Sequence, residues 1–170
     1  VLAANSWQGS ADFPAFDFSP DSRELWLANA ESRLERYALP EGSRLASPLT
    51  NVLTTAIRLD RTGQRLLAFT NETVSTWDVT TGEQLGEWVL AGQVWCAAWH
   101  PQGREFAVGT YWAGIFVGEV GQTNLDLLAG TGPGSEPTAI AFTPDGALVL
   151  AGGWGAFTTV WDFASRNVAL

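Results

Sequence analysis

Alternation of apolar and polar positions recurs along this chain in short bursts, and each burst is closed by a turn signal. Phe16 and Phe18, Ile57 and Leu59, Ala97 and Trp99, and Ile140 and Phe142 stand two apart on one face of four extended segments, here called strand a. Each segment runs into Ser19-Pro20-Asp21-Ser22, Asp60-Arg61-Thr62-Gly63, His100-Pro101-Gln102-Gly103 or Thr143-Pro144-Asp145-Gly146. Proline presets φ and glycine supplies positive φ, so these tetrads predict tight turns into a second strand. Strand b, over Leu25–Ala28, Leu66–Phe69, Phe106–Gly109 and Val149–Gly152, is apolar throughout and shrinks toward Ala or Gly, as an inner strand covered on both faces would. Strand c is expected over Leu34–Tyr37, Val74–Asp78, Ile115–Glu119 and Thr158–Asp162. A second turn near Gly42, Gly82, Gly121 and Arg166 leads to strand d, near Arg44–Pro48, Gln84–Leu90 and Leu125–Ala129. No stretch keeps a helical period, and helix should be nearly absent.

From Ser22 to Gly63, Gly103 and Gly146 the spacings are 41, 40 and 43 residues. A fixed period near forty marks a unit that cannot bury its faces alone and stacks on copies of itself. The prediction is an all-β fold, a β-propeller of four-stranded antiparallel blades with four blades in this chain. Residues 1–170 form one domain, with repeats at about 13–50, 51–91, 92–131 and 132–170. The fourth repeat leaves only Asn167–Leu170 for its strand d, whereas Val1–Trp7 stand in the phase of one. Residues 1–12 are therefore expected to supply a strand that completes the last blade and removes an open sheet edge. Three closures stay open: half of an eight-bladed ring made by two chains, part of a longer tandem array, or a closed ring of four.

The period, the four-strand reading and the pairs Trp77-Asp78 and Trp161-Asp162, two repeats apart, resemble the WD-repeat propellers. The resemblance runs from about Phe13 to Leu170 and implies a divergent, bacterial-type member with four repeats, whose role is a rigid, non-catalytic platform for protein partners. It assigns Tyr37, Trp77, Asp78, Trp99, Trp161 and Asp162 to the repeat scaffold. Tyr37-Ala38 and Gly118-Glu119 replace Trp-Asp in the first and third repeats, and the family's Gly-His pair and b–c turn Asp have no counterpart. The polar network that those residues build in the family is absent, so the blades are expected to rely on apolar packing.

Composition narrows the function classes. With 9 basic residues, all Arg, against 18 acidic ones, the chain carries a net charge of −9, which repels phosphate backbones and argues against nucleic acid as a partner. The absence of Lys removes Schiff-base and P-loop chemistry, and a single Cys excludes an intrachain disulfide. No apolar run approaches the ~18 residues of a membrane span, and Val1-Leu2-Ala3-Ala4 is too short and uncharged to read as a signal peptide. Met is absent, so the start codon is not in view, and a cytoplasmic location is only the default.

The repeats agree at their turns and differ at the rim. Tyr111, Trp112 and Trp154 fall near the ends of b strands, on the face where b–c turns and d–a loops open. Rigid aromatics there are the residue types of binding hot spots, and Glu31, Glu72 and Glu136 would give the patch an acidic rim. The competing reading has both Trp side chains filling the gap between the last two blades. Exposure separates the two. Trp26, Trp77, Trp99 and Trp161 repeat with the strands and are expected to pack between blades; Trp88 and Trp95 are left to either role. His100 is expected to be a solvated turn residue and Cys96 a small strand hydrophobe, and no metal ligand set or cofactor is expected. The partner class is a protein or peptide, with a homodimer as a further possibility. The alternative is a small-ligand or enzymatic propeller that uses its central channel.

Overall fold

The computed structural model describes residues 16–29, 31–128, 130–131, 136–154 and 158–170, and in them the chain folds as four antiparallel sheets with no helix. The expected strand from residues 1–12 lies outside the described residues. The first blade holds β1 (Phe16–Phe18), β2 (Glu24–Ala28) and β3 (Leu34–Ala38), with Arg44 bridging Tyr37 in the place of a fourth strand. The second holds β4 (Ala56–Leu59), β5 (Arg65–Phe69), β6 (Thr73–Asp78) and β7 (Gln84–Val89), and the third β8 (Val94–Trp99), β9 (Glu105–Thr110), β10 (Gly114–Glu119) and β11 (Leu125–Leu127). The fourth holds β12 (Pro137–Phe142), β13 (Leu148–Gly153) and β14 (Thr158–Asp162), with Val168 bridging Trp161. Strand order within each sheet follows chain order, the signature of a propeller blade.

Blades stack through their first strands, β1 on β4, β4 on β8 and β8 on β12. Strand b is interior to its sheet, as its apolar run implied, yet strand a is the one nearest the axis. Three apolar cores fill the seams. Trp26, Leu49, Ile57 and Leu66 fill the first, Leu67, Trp88, Phe106 and Val108 the second, and Ile115, Leu128, Val149 and Trp161 the third. Trp99 is buried with the second core, while Trp77 and Tyr37 are half-buried and donate to Ser75 Oγ and Glu35 Oε2 at 2.8 Å. Asp78 and Asp162, the acidic halves of the Trp-Asp pairs, cap the c–d turns. The Thr81 and Thr80 amides reach Asp78 Oδ1 at 2.7 and 2.8 Å, and the Ser165 amide reaches Asp162 Oδ1 at 2.8 Å. Those amide bonds hold both carboxyls below the usual carboxylate range.

Apolar packing is not the only cement. The buried Thr54 hydroxyl donates to the Ala56 carbonyl at 2.6 Å, and the buried Thr110 hydroxyl to the Gly114 carbonyl at 2.8 Å, which ties off strand ends at the rim. At the opposite face each a–b turn glycine receives a residue from the blade before it. An added Cβ would lie 3.2 Å from Pro20 Cδ at Gly63, 2.8 Å from Asp60 Oδ2 at Gly103 and 2.1 Å from His100 Nε2 at Gly146. The expectation of a solvated His100 is thus wrong: the ring is 5% exposed, stacks on Phe163 at 4.8 Å, meets Phe142 edge-on at 5.2 Å and approaches the Gly146 carbonyl at 3.2 Å. In the first blade Ser22, exposed, takes the glycine's place with φ of 60°.

Candidate functional site

The third and fourth blades build a rim unlike the other two. Thr110 and Gly114 pair at the end of the β9–β10 hairpin, leaving Tyr111, Trp112 and Ala113 as the turn. Trp112 takes φ of 73°, a left-handed conformation that a bulky side chain rarely adopts and that costs on the order of 1–3 kcal/mol. The turn turns its indole out to 51% exposure. On β8 the register slips between Val94 and Cys96, so Trp95 is the extra residue of a β-bulge, the device that re-aims a side chain off a ladder. β12 bulges likewise between Pro137 and Ala139, at Thr138. Trp154 follows β13, its amide donates to the Glu136 carbonyl at 3.2 Å, and its side chain is 63% exposed.

These four rings form one ladder. Trp95 stacks on Tyr111 with centroids 4.7 Å apart and planes at 24°. Trp154 meets the other side of the run edge-on, 5.1 Å from Trp95, and Trp112 meets Tyr111 edge-on at 5.5 Å. The seam between the third and fourth blades is filled by Ile115, Val149, Trp161 and Phe163 instead, so Trp112 and Trp154 are not its packing. The two undecided tryptophans divide: Trp95 joins the rim, and Trp88, 4% exposed against Phe106 at 4.9 Å, belongs to the core. The carboxylates are less tightly gathered. Glu136 is half-buried beside Trp154, and Glu72 is exposed in the β5–β6 turn. Glu31 lies on the first blade, two blades round from the ladder, and pairs with Arg33 at 3.2 Å. Sequence asymmetry located Tyr111, Trp112 and Trp154 and left Trp95 undecided, because a bulge leaves no mark in a run as apolar as Val94–Trp99.

On the axis side of the ladder, β4, β8 and β12 enclose a cleft of about 210 Å³, lined by Arg58, Phe69, Trp95, Cys96, Thr138 and Ile140 among others. Cys96 is buried, and that burial pushes its thiol up to about 12, so it stays protonated at neutral pH and donates to the Pro137 carbonyl at 3.4 Å. Both nitrogens of His100 are engaged at the far face: besides the Gly146 carbonyl, Nδ1 accepts the Gln102 amide at 3.3 Å. Among the described residues no three His, Cys, Asp or Glu side chains gather as a metal site would require. Among the same residues no helix is long and apolar enough to cross a membrane.

Residues 127–162 match the WD40 family model, described as WD domain, G-beta repeat, and the match spans the fourth blade through its Trp161-Asp162 pair. No curated protein matches the chain significantly. Among solved structures, the β-propeller domain of Cps50 (Swd1) from Myceliophteria thermophila is similar with a TM-score of 0.77 and 18% identity, over 94% of this chain and 54% of that one. Hydrazine synthase from Kuenenia stuttgartiensis is similar with a TM-score of 0.75 and 17% identity, over 100% of this chain and 51% of that one. At such identities the likeness is one of fold: the chain is an all-β propeller, and residues 127–162 carry a WD40 repeat. It spans about half the length of the solved chains it matches.

Proposed function

We propose that this chain is a non-catalytic interaction platform that holds a protein or peptide partner across the ladder Trp112–Tyr111–Trp95–Trp154. The observation that carries this reading is the exposure of Trp112 and Trp154, 51% and 63%, the former on a backbone that would cost less with glycine or asparagine. Large rigid aromatics bury much area at little entropic cost, and few residues usually carry most of a binding energy. Glu136 beside the ladder, with Glu72 one blade round and Glu31 two, favours a partner with basic flanks. The reading agrees with the role typical of WD40 propellers. In affinity capture from cell extract, the unaltered protein should retain a partner that a Trp112→Ala/Trp154→Ala double variant retains at least 30-fold less, with both melting at the same temperature. Equal retention by both would sink the reading.

We also propose that two copies close one eight-bladed ring. The side of the first blade away from its neighbour shows Phe16 and Phe18 at 48% and 50% exposure, and register puts Leu25, Leu27 and Tyr37 on the same face. Those positions correspond to Ile57, Leu59, Leu66, Ala68 and Trp77, which are turned to the preceding blade in the seam that the first two blades share. The outer side of the fourth blade carries Ala139, Ala141, Leu148, Leu150 and Val160, a matching apolar face. Joined head to tail, two half-rings bury both faces in two identical seams. Light scattering should give about twice the 18.3 kDa of one chain. Phe18→Glu should give monomers, and adding Ala141→Arg should restore the pair; a monomeric unaltered chain rules the ring out.

A further inference from the structure

Arg58 is out of place in this chain. Acids outnumber bases 18 to 9, and six of the nine arginines, Arg23, Arg33, Arg36, Arg44, Arg104 and Arg166, each face a carboxylate within 4.0 Å; of the other three, Arg61 is exposed and Arg65 donates to the Gly103 carbonyl. Arg58, half-buried on β4, has no ion pair among the described residues, and its guanidinium uses one donor, Nη1, on the carbonyl of Ile57 at 2.7 Å. An arginine has five such donors, and a partly desolvated cation without an anion is costly to keep. Among the described residues the cleft supplies no counter-ion, since Cys96, its proton held by burial, is neutral. The remaining lining is apolar or hydroxylic: three alanines at 56, 97 and 139, with Phe69, Trp95, Thr138 and Ile140. At about 210 Å³ it falls below the ~300–1,000 Å³ of sites for drug-sized ligands, which fits one side chain better than a free metabolite. Trp95, raised by its bulge, is a wall of this cleft and a rung of the ladder at once.

We propose that the cleft takes a single carboxylate of a peptide partner against Arg58 while the adjoining residues of that peptide lie on the aromatic ladder. The inference rests on the platform reading and adds to it the chemistry of the partner. A carboxylate satisfies the guanidinium in the bidentate geometry that a lysine lacks, and Thr138, at the second bulge, brings a hydroxyl to the same wall. The acidic rim sets the remainder: one acid with neutral or basic neighbours, since a run of acids meets Glu72 and Glu136.

Panning a phage-displayed library of random 12-residue peptides on the unaltered protein tests this. The expected peptides carry one Asp or Glu, or a terminal carboxylate, beside an aromatic residue or proline. Synthesised with Asn or Gln at the acid, or with an amidated C-terminus, they distinguish a side-chain source from a terminal one. Whichever change removes the recognised carboxylate should weaken binding at least 10-fold to the unaltered protein and have little further effect on Arg58→Gln. Arg58→Lys should recover only part of the loss, and unchanged melting of both variants separates binding from folding. Peptides that need Trp112 and Trp154 but tolerate Arg58→Gln overturn the cleft and leave the platform standing. A library that yields no binder also overturns it, and the capture experiment then judges the platform separately.

Discussion

Gly146→Ala is expected to destabilise the fold by about 2–4 kcal/mol, a large loss for one methyl group. Two effects add. At φ of 77° an L side chain costs about 1 kcal/mol, and overpacking a filled site adds about 1–3 kcal/mol. The second term applies because the new Cβ would stand 2.1 Å from His100 Nε2, and the imidazole has nowhere to go. It is stacked on Phe163, edge-on to Phe142 and bonded at both nitrogens. Gly121→Ala is the control: φ there is 83°, with nothing within 4 Å, so only the backbone cost of about 1 kcal/mol remains. His100→Ala in the Gly146→Ala background should return at least ~1 kcal/mol relative to the sum of the single changes, the mark of residues in direct contact. Urea unfolding midpoints measure all four. If Gly146→Ala and Gly121→Ala cost the same, the wedge at this seam does not exist.

Trp161→Ala should cost about 4 kcal/mol and Trp154→Ala less than ~0.5 kcal/mol, although the two are seven residues apart in one blade. Trp161 is 1% exposed and lies in the third core with Ala107, Ile115 and Val149, so truncation leaves a cavity that a closed sheet stack cannot fill. Trp154 is 63% exposed and leaves none. Trp112→Gly goes further, since relief of the left-handed backbone offsets the lost contact with Tyr111 and stability should hold or rise. Thermal unfolding of the three variants decides the matter: a rim tryptophan that destabilises as much as Trp161 is packing.

How far the sequence foretold this molecule depended on how local the cause was. The Pro-Asp-Gly type turns and the two-residue alternation are local, and strands a to c fall where those signals put them. Strand d is an edge whose extent depends on its neighbours; in the first and fourth blades it shrinks to a bridge at Arg44 and at Val168. His100 misled because His-Pro in a turn reads as solvent-facing, whereas the residue that makes room for it, Gly146, stands 46 positions away. The rim was half legible. Its aromatic excess showed as a difference between repeats, but the bulge at Trp95, the left-handed Trp112 and the cleft around Arg58 arise from register and from blades meeting.

The hand-off at the a–b turns also bears on assembly. Blades built on one pattern invite a nascent chain to seat the wrong neighbour, a hazard that grows with the likeness of the repeats. Here the residue each blade offers differs: a proline ring, a carboxylate and an imidazole in succession. The carboxylate seam is marked further by Arg65, which donates from Nη1 to the Gly103 carbonyl, and the imidazole seam by the edge-on pair Phe142 and Phe163. A blade that skipped its place would bring an imidazole to a socket shaped by a carboxylate, without the aromatic pair that grips it. The succession of turns thus works as a serial number, written in four short segments, that tells interchangeable sheets the order in which to stand.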